Sequence, residues 1–336
     1  MPDSIPTSHL ALAWVLARGS RGREQARLAL AAQDEAPADV CAALRDRVPG
    51  VFETLHASGW RFVAAGDDEF PTALALASDP PVGLFIRGTL PPGPGVAVVG
   101  ARRASAYGRE VAEYLGRELA AAGAVVISGM ARGVDACAHR GALAAGSTVA
   151  VWGAGCDRVY PAEHAQLAEE IAAHGALVTE YPPGTAPVAW HFPERNRIVA
   201  TLAQVVVVVE ADEKSGALIT ARQALDEGRD VMAVPGSIFS RLSTGPNGLL
   251  RSGAAPVVAA ADVLQAVGLT AMVAEARADE GLIALIPPGE AVSIDHLAAT
   301  AGRPIGHVLE ELFNLELAGR VRREPDGRIR RAGHRT

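Results

Sequence analysis

Five consecutive valines, Val205–Val209, limit what this chain can fold into more than any other feature of its sequence. A run of β-branched residues favours a strand, and successive side chains of a strand point to opposite faces of the sheet. Both faces of this strand are therefore apolar, and both must be covered. That requirement is typical of a central strand in a parallel sheet with helices on each side.

The valine run is one of six short apolar segments between residues 94 and 260 that alternate with predicted helices. The other predicted strands are Val96–Val99, Val125–Ile127, Thr148–Val151, Leu177–Thr179 and Val231–Val234. Predicted helices cover 108–121, 135–145, 163–174 and 217–227, each followed by a glycine that favours a helix end. Repeated strand-then-helix order predicts an α/β fold with a doubly wound parallel sheet.

The regions on either side of the sheet have different patterns. Residues 8–58 show apolar residues at helical spacing and no strand pattern, which predicts a small helical (SAM-like) domain over 1–58. The sheet domain would occupy 59–268, and a linker 269–280. Residues 281–336 read as three short helices followed by a hairpin around Pro325-Asp326-Gly327, which predicts a winged helix.

Composition excludes several classes of protein. The net charge of −7 argues against a protein that coats nucleic acid by charge alone, although a local basic site remains compatible with it. Cys41, Cys137 and Cys156 lie far apart, which excludes a zinc ribbon and disfavours a disulfide framework. The sequence shows neither a signal peptide nor an apolar run of about 18 residues, so we expect a cytoplasmic protein without a membrane span.

The loops after the predicted strands are the candidate site, because open parallel sheets bind ligands beyond the carboxyl ends of their strands. The first two loops combine glycines that let a polymer approach with groups that bind phosphate, and the first opens a helix. Their candidate residues are Gly100, Arg102, Arg103 and Ser105 in the first loop, and Ser128, Gly129, Arg132 and Gly133 in the second. We therefore expect a polyanionic ligand at this edge.

The later loops add an aromatic ring and more positive charge. Their candidate residues are Phe192, Arg195, Asn196 and Arg197 before the valine strand, and Lys214 after it. An aromatic side chain beside arginines suits a stacked base and its flanking phosphates, but Phe192 could equally be a core anchor. Asp135 is either a helix cap or a site residue, and His139 is expected to be a buried, hydrogen-bonded histidine.

The same loops lack the groups that a catalyst needs. No Ser/His/Asp order, carboxylate pair, H-E-x-x-H motif or Walker loop is visible, so we expect neither an enzyme nor a metal site. Arg102 stands where the second glycine of a dinucleotide-binding fingerprint would be, and its side chain would block a pyrophosphate. We therefore expect no cofactor.

An ordered series of short motifs resembles the bacterial DNA-processing protein DprA (Smf) family. The motifs are Phe70-Pro71, Asp79-Pro80-Pro81, Val99-Gly100-Ala101-Arg102, Ser128-Gly129, Ala131-Arg132-Gly133-Val134-Asp135, Tyr160-Pro161, Glu180-Tyr181-Pro182, Phe192-Pro193-Glu194-Arg195-Asn196-Arg197, Ser215-Gly216, Pro235-Gly236 and Gly253-Ala254. The resemblance spans roughly residues 60–254. It implies an extended Rossmann-like domain, and the helical and winged-helix regions fit the family's usual additional domains.

The resemblance also implies a function. Members of this family bind single-stranded DNA without sequence preference, form homodimers, and load RecA in the presence of single-strand-binding protein during natural transformation. The family's DNA-contacting positions correspond here to Arg102, Ser128, Gly129, Arg132, Phe192, Arg195 and Arg197. Many relatives use lysines in this groove, whereas Lys214 is the sole lysine of this chain, so arginines would have to replace them.

Two alternatives come from other classes of protein. A nucleotide phosphoribohydrolase uses a similar sheet with a P-G-G-x-G-T loop, but the corresponding segment 215–220 lacks the glycine pair. A regulator of double-stranded DNA would use the winged helix, since residues 319–336 carry seven arginines against Glu324 and Asp326. A solvated wing or a protein-contact surface explains that charge better.

Overall fold

The computed structural model describes residues 5–269, 281–287, 290–317, 319–324 and 326–331. The chain divides into two compact units, residues 1–271 and 272–336. Within the described ranges, no helix is both long and apolar enough to cross a membrane. The predicted linker, apart from Leu269, lies outside the described residues.

A nine-stranded sheet forms the centre of the first unit, in the order β1-β2-β6-β5-β4-β3-β7-β8-β9. Its strands are β1 (Trp60–Ala64), β2 (Gly83–Gly88), β3 (Gly95–Val99), β4 (Val125–Ser128), β5 (Thr148–Val151), β6 (Ala176–Thr179), β7 (Val205–Val208), β8 (Asp230–Ala233) and β9 (Ala255–Pro256). Strands β3 to β9 pair in parallel. The doubly wound sheet is therefore confirmed. The antiparallel edge formed by β1 and β2 is an addition that the sequence pattern did not predict.

Helices cover both faces of this sheet. They are α5 (Thr72–Ala75), α6 (Ala106–Ala121), α7 (Val134–Leu143), α8 (Ala165–His174), α9 (His191–Leu202), α10 (Gly216–Asp226), α11 (Thr244–Arg251) and α12 (Ala260–Ala266). Val205, Val207 and Val209 pack in the core with α6, α7 and α12. Val206 and Val208 pack in the core with α9 and α10. All five valines are at most 1 % exposed, as expected for a strand covered on both faces.

The order of the strands places a crevice at the middle of the sheet. From β3 the chain continues through β4, β5 and β6 on one side, and it then returns to β7 on the other side of β3. The helices that follow β3 and β7 therefore lie on opposite faces. Such a switch point opens a crevice beyond the carboxyl ends of the two strands.

Four N-terminal helices pack against the β1–β2 end of the sheet. They are α1 (Thr7–Arg18), α2 (Arg23–Ala32), α3 (Ala38–Asp46) and α4 (Val48–Ala57). Leu12 and Trp14 of α1 share one hydrophobic cluster with Phe62, Phe85 and Trp152 of the sheet. The predicted boundary after residue 58 falls between α4 and β1, but these helices and the sheet belong to one compact unit.

The second unit has the helices and hairpin of a winged helix. A 3₁₀ helix (Gly281–Leu285) precedes α13 (Ile294–Ala301) and α14 (Ile305–Leu317). The strands β10 (Ala291–Val292), β11 (Val321–Arg323) and β12 (Ile329–Arg331) form a sheet in the order β10-β12-β11. Pro325 of the predicted turn lies outside the described residues. The unit has its own core, which includes Leu297, Val308 and Leu312.

Candidate nucleic-acid interface

An open cavity of about 650 Å³ lies beyond the carboxyl ends of β3, β4 and β7. Its walls come from the loops after these strands, the first turns of α9 and α10, and the loop before α11. It brings together eight of the residues predicted from the sequence: Gly100, Arg102, Arg103, Gly129, Phe192, Arg195, Asn196 and Lys214. The switch point of the sheet is therefore the candidate site.

Four exposed cationic side chains line this cavity, in addition to the buried Arg195. Arg102, Arg103 and Lys214 are exposed, and the side chain of Arg241 is 86 % exposed. Arg241 has an ion pair with Asp212 at 3.5 Å. Across the part of the chain that the structure describes, the other three have no carboxylate within ion-pair distance. In a chain of net charge −7, this concentration of unpaired positive charge suits an anionic ligand.

Phe192 lies in the cavity wall and is half-buried. The guanidinium carbon of Arg102 is 5.1 Å from the centre of its ring. The ring of Tyr160, which is 40 % exposed, is 5.2 Å away on a tilted plane. Phe192 lies outside the hydrophobic clusters that the described residues form. This position suits a ring on which a base can stack, and the choice between stacking and a core anchor stays a prediction.

Arg195 and Asp135 form the buried support of the loop after β4. Arg195 is 4 % exposed and donates from Nη1 to the Gly129 carbonyl at 2.9 Å. Asp135 Oδ2 accepts from the amides of Gly129 at 3.1 Å and Ala131 at 3.3 Å. A side chain on Gly129 would meet both groups, since its Cβ would lie 2.6 Å from Arg195 Nη2 and 2.8 Å from Asp135 Oδ2. Asp135 therefore holds this loop and does not cap its own helix.

Burial shifts the pKa of both Asp135 and Arg195. Desolvation raises the pKa of Asp135 to about 6, against the pull of Arg195 and the two amides. Desolvation lowers the pKa of Arg195 to about 10, so the guanidinium is still charged at neutral pH. His139 on the same helix is fully buried with Nδ1 2.8 Å from Thr148 Oγ1, as expected for a structural histidine.

The two serines predicted to hold phosphate are committed to other partners. Ser128 is fully buried and donates to the Val98 carbonyl at 2.7 Å. Ser105 caps α6 and donates from Oγ to Glu210 Oε1 at 2.5 Å, while its amide donates to Glu210 Oε2 at 2.9 Å. The carboxylate of Glu210 thus fills the anion site at the start of α6. The expectation that this helix end binds phosphate needs correction.

Three other predicted residues lie outside the cavity. Arg132 makes a two-pronged ion pair with Glu163 at 2.7 and 2.6 Å. Arg197 is buried and donates to both oxygens of Glu180 at 2.7 Å. Gly133 has φ +78° and touches the loop after β3, with its Cβ position 2.2 Å from the Ala101 carbonyl oxygen. In this structure these residues contact the protein's own loops and carboxylates, and their direct contact with a ligand stays a prediction.

An ion-pair network that the sequence analysis missed connects the N-terminal helices with α9. Arg23 of α2 reaches Glu194 Oε1 at 2.7 Å, Asp79 Oδ2 at 2.8 Å and Glu180 Oε2 at 3.4 Å. Tyr181 donates its hydroxyl to Glu194 Oε2 at 2.7 Å. Glu194 lies between Phe192 and Arg195 in the sequence, so the network fixes the turn of α9 that carries both.

Arg241 and Tyr160 are also absent from the residues predicted by sequence. Arg241 lines the cavity from a loop that is 27 residues beyond Lys214, and no local motif connects the two. Tyr160 had a signal, since Tyr160-Pro161 is among the motifs of the resemblance. Its contact with Phe192 depends on two loops that meet only in the folded protein.

Comparisons with known proteins identify the family to which the sequence is similar. The profile of the family DNA recombination-mediator protein A matches residues 61–268, and that of the DprA winged helix domain matches 274–327. The chain is 40 % identical over 223 residues to DNA processing protein DprA of Bacillus subtilis, covering 65 % of this chain and 75 % of that protein. It is 37 % identical over 300 residues to Protein Smf of Escherichia coli, covering 83 % and 80 %.

Two solved structures resemble the fold closely enough to compare. The X-ray structure of DprA from Streptococcus pneumoniae has a TM-score of 0.65 and 34 % identity, and the match covers 78 % of this chain and 98 % of that one. DNA processing protein A from Helicobacter pylori, described by its single-stranded DNA binding mode, has a TM-score of 0.56 and 31 % identity. That match covers 61 % of this chain and 94 % of the Helicobacter chain.

Proposed function

This chain belongs to the DNA recombination-mediator protein A (DprA/Smf) family, and we propose on that premise that its central cavity binds single-stranded DNA without sequence preference. The observation that carries the proposal is that exposed cationic side chains line the same cavity as Phe192, with Arg102 over its aromatic ring. Arginines and a lysine bind phosphates, which contain no sequence information. An aromatic ring stacks on any base, since every base has a π-face.

The geometry favours a single strand over a duplex. Phe192 is a half-buried ring in the wall of a cavity, so a base must leave its own stack to reach it. A duplex keeps its bases stacked and presents mainly backbone to such a cavity. The single-stranded DNA binding described for the Helicobacter pylori protein supports the same choice.

Binding of matched single- and double-stranded oligonucleotides, measured by fluorescence anisotropy, tests the proposal. We expect tighter binding of the single strand and similar affinities for different base compositions. Arg102→Ala should weaken binding of all single strands about equally and lower the slope of log affinity against log salt by about 0.7. Arg45→Ala, which removes an exposed arginine from α3, is the control. Preference for the duplex, or an unchanged slope for Arg102→Ala, would overturn the proposal.

We further propose that the chain acts as a homodimer that loads RecA on single-stranded DNA in the presence of single-strand-binding protein during natural transformation. Family membership supports this role, because the motifs that this chain shares with the family imply it. Light scattering should give twice the chain mass. Addition of the protein should also speed RecA filament formation on DNA covered by single-strand-binding protein. A monomer, or an unchanged filament rate, would contradict this part.

A binding role also separates the chain from the phosphoribohydrolase alternative. The carboxylates that line the cavity are Asp135, which is buried against two amides, and Asp212, which pairs with Arg241. Incubation with nucleoside monophosphates should therefore release no free base. Release of a base that Asp212→Asn abolishes would favour the enzyme.

A further inference from the structure

Phe239 is the most exposed large apolar residue in the described part of the chain. Its side chain is 94 % exposed, and that of the neighbouring Ile238 is 83 % exposed. The chain has only seven phenylalanines, and Phe62, Phe70 and Phe85 are all buried. A phenyl ring and a sec-butyl group exposed on consecutive residues are typical of a contact surface.

The loop that carries Phe239 is held at both ends. Gly236 exchanges two hydrogen bonds with the side chain of Asn247, at 3.2 and 3.0 Å. The Ser237 hydroxyl accepts a hydrogen bond from the Phe239 amide at 3.2 Å, and the Ser237 carbonyl accepts one from the Ser240 amide at 3.0 Å. The backbone therefore presents Phe239 outward in a defined turn.

This loop is continuous with the central cavity. Arg241 and Leu242 line the cavity, and the Leu242 carbonyl accepts from the Ala211 amide at 2.7 Å, at the end of β7. Ser240 alone separates Phe239 from Arg241, so their Cα atoms are at most about 7 Å apart in extended chain. Phe239 therefore lies just outside the rim of the cavity, on the side where Arg241 and Lys214 are exposed.

We propose that Phe239 stacks on a base of single-stranded DNA outside the cavity, so that the bound strand leaves the cavity past Arg241 and crosses this loop. The inference rests on the proposed single-strand binding and extends its path. Arg241 and Lys214 would neutralise the phosphates on either side of the stacked base. An exposed aromatic ring beside cations is the combination by which proteins bind single strands without sequence preference.

Charge decides between this ligand and an apolar protein partner. A protein that covers Phe239 and Ile238 would also have to cover the guanidinium of Arg241, which is 86 % exposed despite its 3.5 Å contact with Asp212. Covering it costs desolvation unless the partner supplies a further acidic group. A DNA strand supplies that negative charge at every step. The short loop also offers too little apolar area for a stable protein interface by itself.

Oligonucleotide length separates the two parts of the binding path. An oligo(dT) of about 5 nucleotides would fill the cavity alone, and one of about 16 would also reach the loop. For the longer oligonucleotide, Phe239→Ala should lower affinity about 5- to 150-fold, the range of one lost base stack. The salt slope should be unchanged because no phosphate contact is lost. Binding of the shorter oligonucleotide should be unaffected.

Three further variants complete the test. Phe239→Trp should keep the affinity of the parent chain, whereas Phe239→Leu should behave like Phe239→Ala because it lacks a π-face. Leu76→Ala is the matched control, since Leu76 is also apolar and 81 % exposed. Equal affinities of Phe239→Ala and the parent chain for the long oligonucleotide would overturn the inference. A Leu variant as tight as the parent would do the same and would favour an apolar contact. Failure of the parent chain to bind either oligonucleotide would instead overturn the proposed function.

Discussion

At the scale of single residues, the site depends on which polar groups have no internal partner. Arg102, Arg103 and Lys214 face the cavity without a carboxylate in ion-pair distance among the described residues. Arg132 and Arg197 have the same chemistry, but each is occupied by a glutamate. A guanidinium that already has a two-pronged carboxylate partner gains little from a phosphate, because one ion pair must break to form the other.

Phe192 provides the first prediction. A stacked base contributes about 1–3 kcal/mol to binding, so Phe192→Ala should weaken single-strand binding by about that amount. Its thermal midpoint should change little, because the ring contacts Arg102 and Tyr160 at the surface. Phe85→Ala is the control, and it should lose about 3–5 kcal/mol of unfolding free energy since Phe85 is fully buried.

Anisotropy and thermal melting on one preparation separate these effects. A large loss of stability in Phe192→Ala, with intact affinity in the folded fraction, would contradict the prediction and return Phe192 to a core role.

The buried Asp135 provides a second prediction, about pH. Its pKa is about 6 in the folded chain and about 3.9 in an unfolded one. Between these values the folded state holds a proton that the unfolded state has released, so this group makes the protein less stable as pH rises from about 4 to 6. Asp135→Asn removes the effect. The unfolding free energy of the parent chain, relative to the variant, should fall by about 1.4 kcal/mol per pH unit in this window.

Denaturant titrations at several pH values measure this difference, with the exposed Asp226→Asn as the control for loss of a carboxylate. A difference between parent and Asp135→Asn that stays flat from pH 4 to 6 would show that Asp135 is not buried as described.

At the scale of elements, the loops of the site are fixed by contacts with one another and with distant helices. The loop after β4 touches the loop after β3 at Gly133, and α2 reaches the first turn of α9 through Arg23 and Glu194. The N-terminal helices thus contact the site's supporting network without contributing a residue to the cavity wall. Their packing is a means of positioning Phe192 and Arg195.

Gly133 provides the prediction at this scale. A side chain at this position would lie 2.2 Å from the Ala101 carbonyl oxygen, so Gly133→Ala should displace the loop that carries Arg102 and weaken single-strand binding. Gly228→Ala is the matched control, because Gly228 has φ +67° with nothing within 4 Å of its Cβ position. Gly228→Ala should lose about 1–2 kcal/mol of unfolding free energy from its left-handed backbone, and Gly133→Ala should lose more because its Cβ also meets a backbone carbonyl. Only Gly133→Ala should lose affinity, and equal affinities would refute the loop contact.

At the scale of the whole molecule, the chain forms two compact units, and the candidate cavity lies in the first. All the residues that line the cavity lie between 99 and 242, within the first unit. The second unit has its own core and matches the DprA winged helix profile. Among the described residues, the wall of the candidate cavity thus comes from the first unit alone.

Deletion of residues 281–336 tests this division. The shortened chain should fold, because its sheet is covered on both faces by its own helices, and it should retain single-strand binding. Circular dichroism checks the fold and anisotropy the affinity. A folded but non-binding product would place the main site in the winged helix.

The sequence alone determined the parallel sheet, the edge of the sheet where the candidate site lies, and the central residues of that site. Val205–Val209 required cover on both faces, and the helix ends predicted from the following glycines lie within two residues of the observed ends. Periodicity and turn chemistry act over short distances along the chain, so a sequence shows them directly. The loops after β3 and β7 and the start of α9 then had to meet, which brought Arg102, Lys214 and Phe192 together.

Only the tertiary structure decided which of the candidate groups are available. Ser105 donates a hydrogen bond to Glu210, 105 residues away, and Arg132 donates one to Glu163, 31 residues away. Ser128 donates one to the Val98 carbonyl. It also placed Arg241 on the rim and Arg23 beneath α9. A motif identifies a residue's chemistry and its loop. Whether the side chain is available to a ligand depends on which carboxylate or carbonyl the fold brings within about 3 Å of it. That contact is made between segments far apart in the sequence.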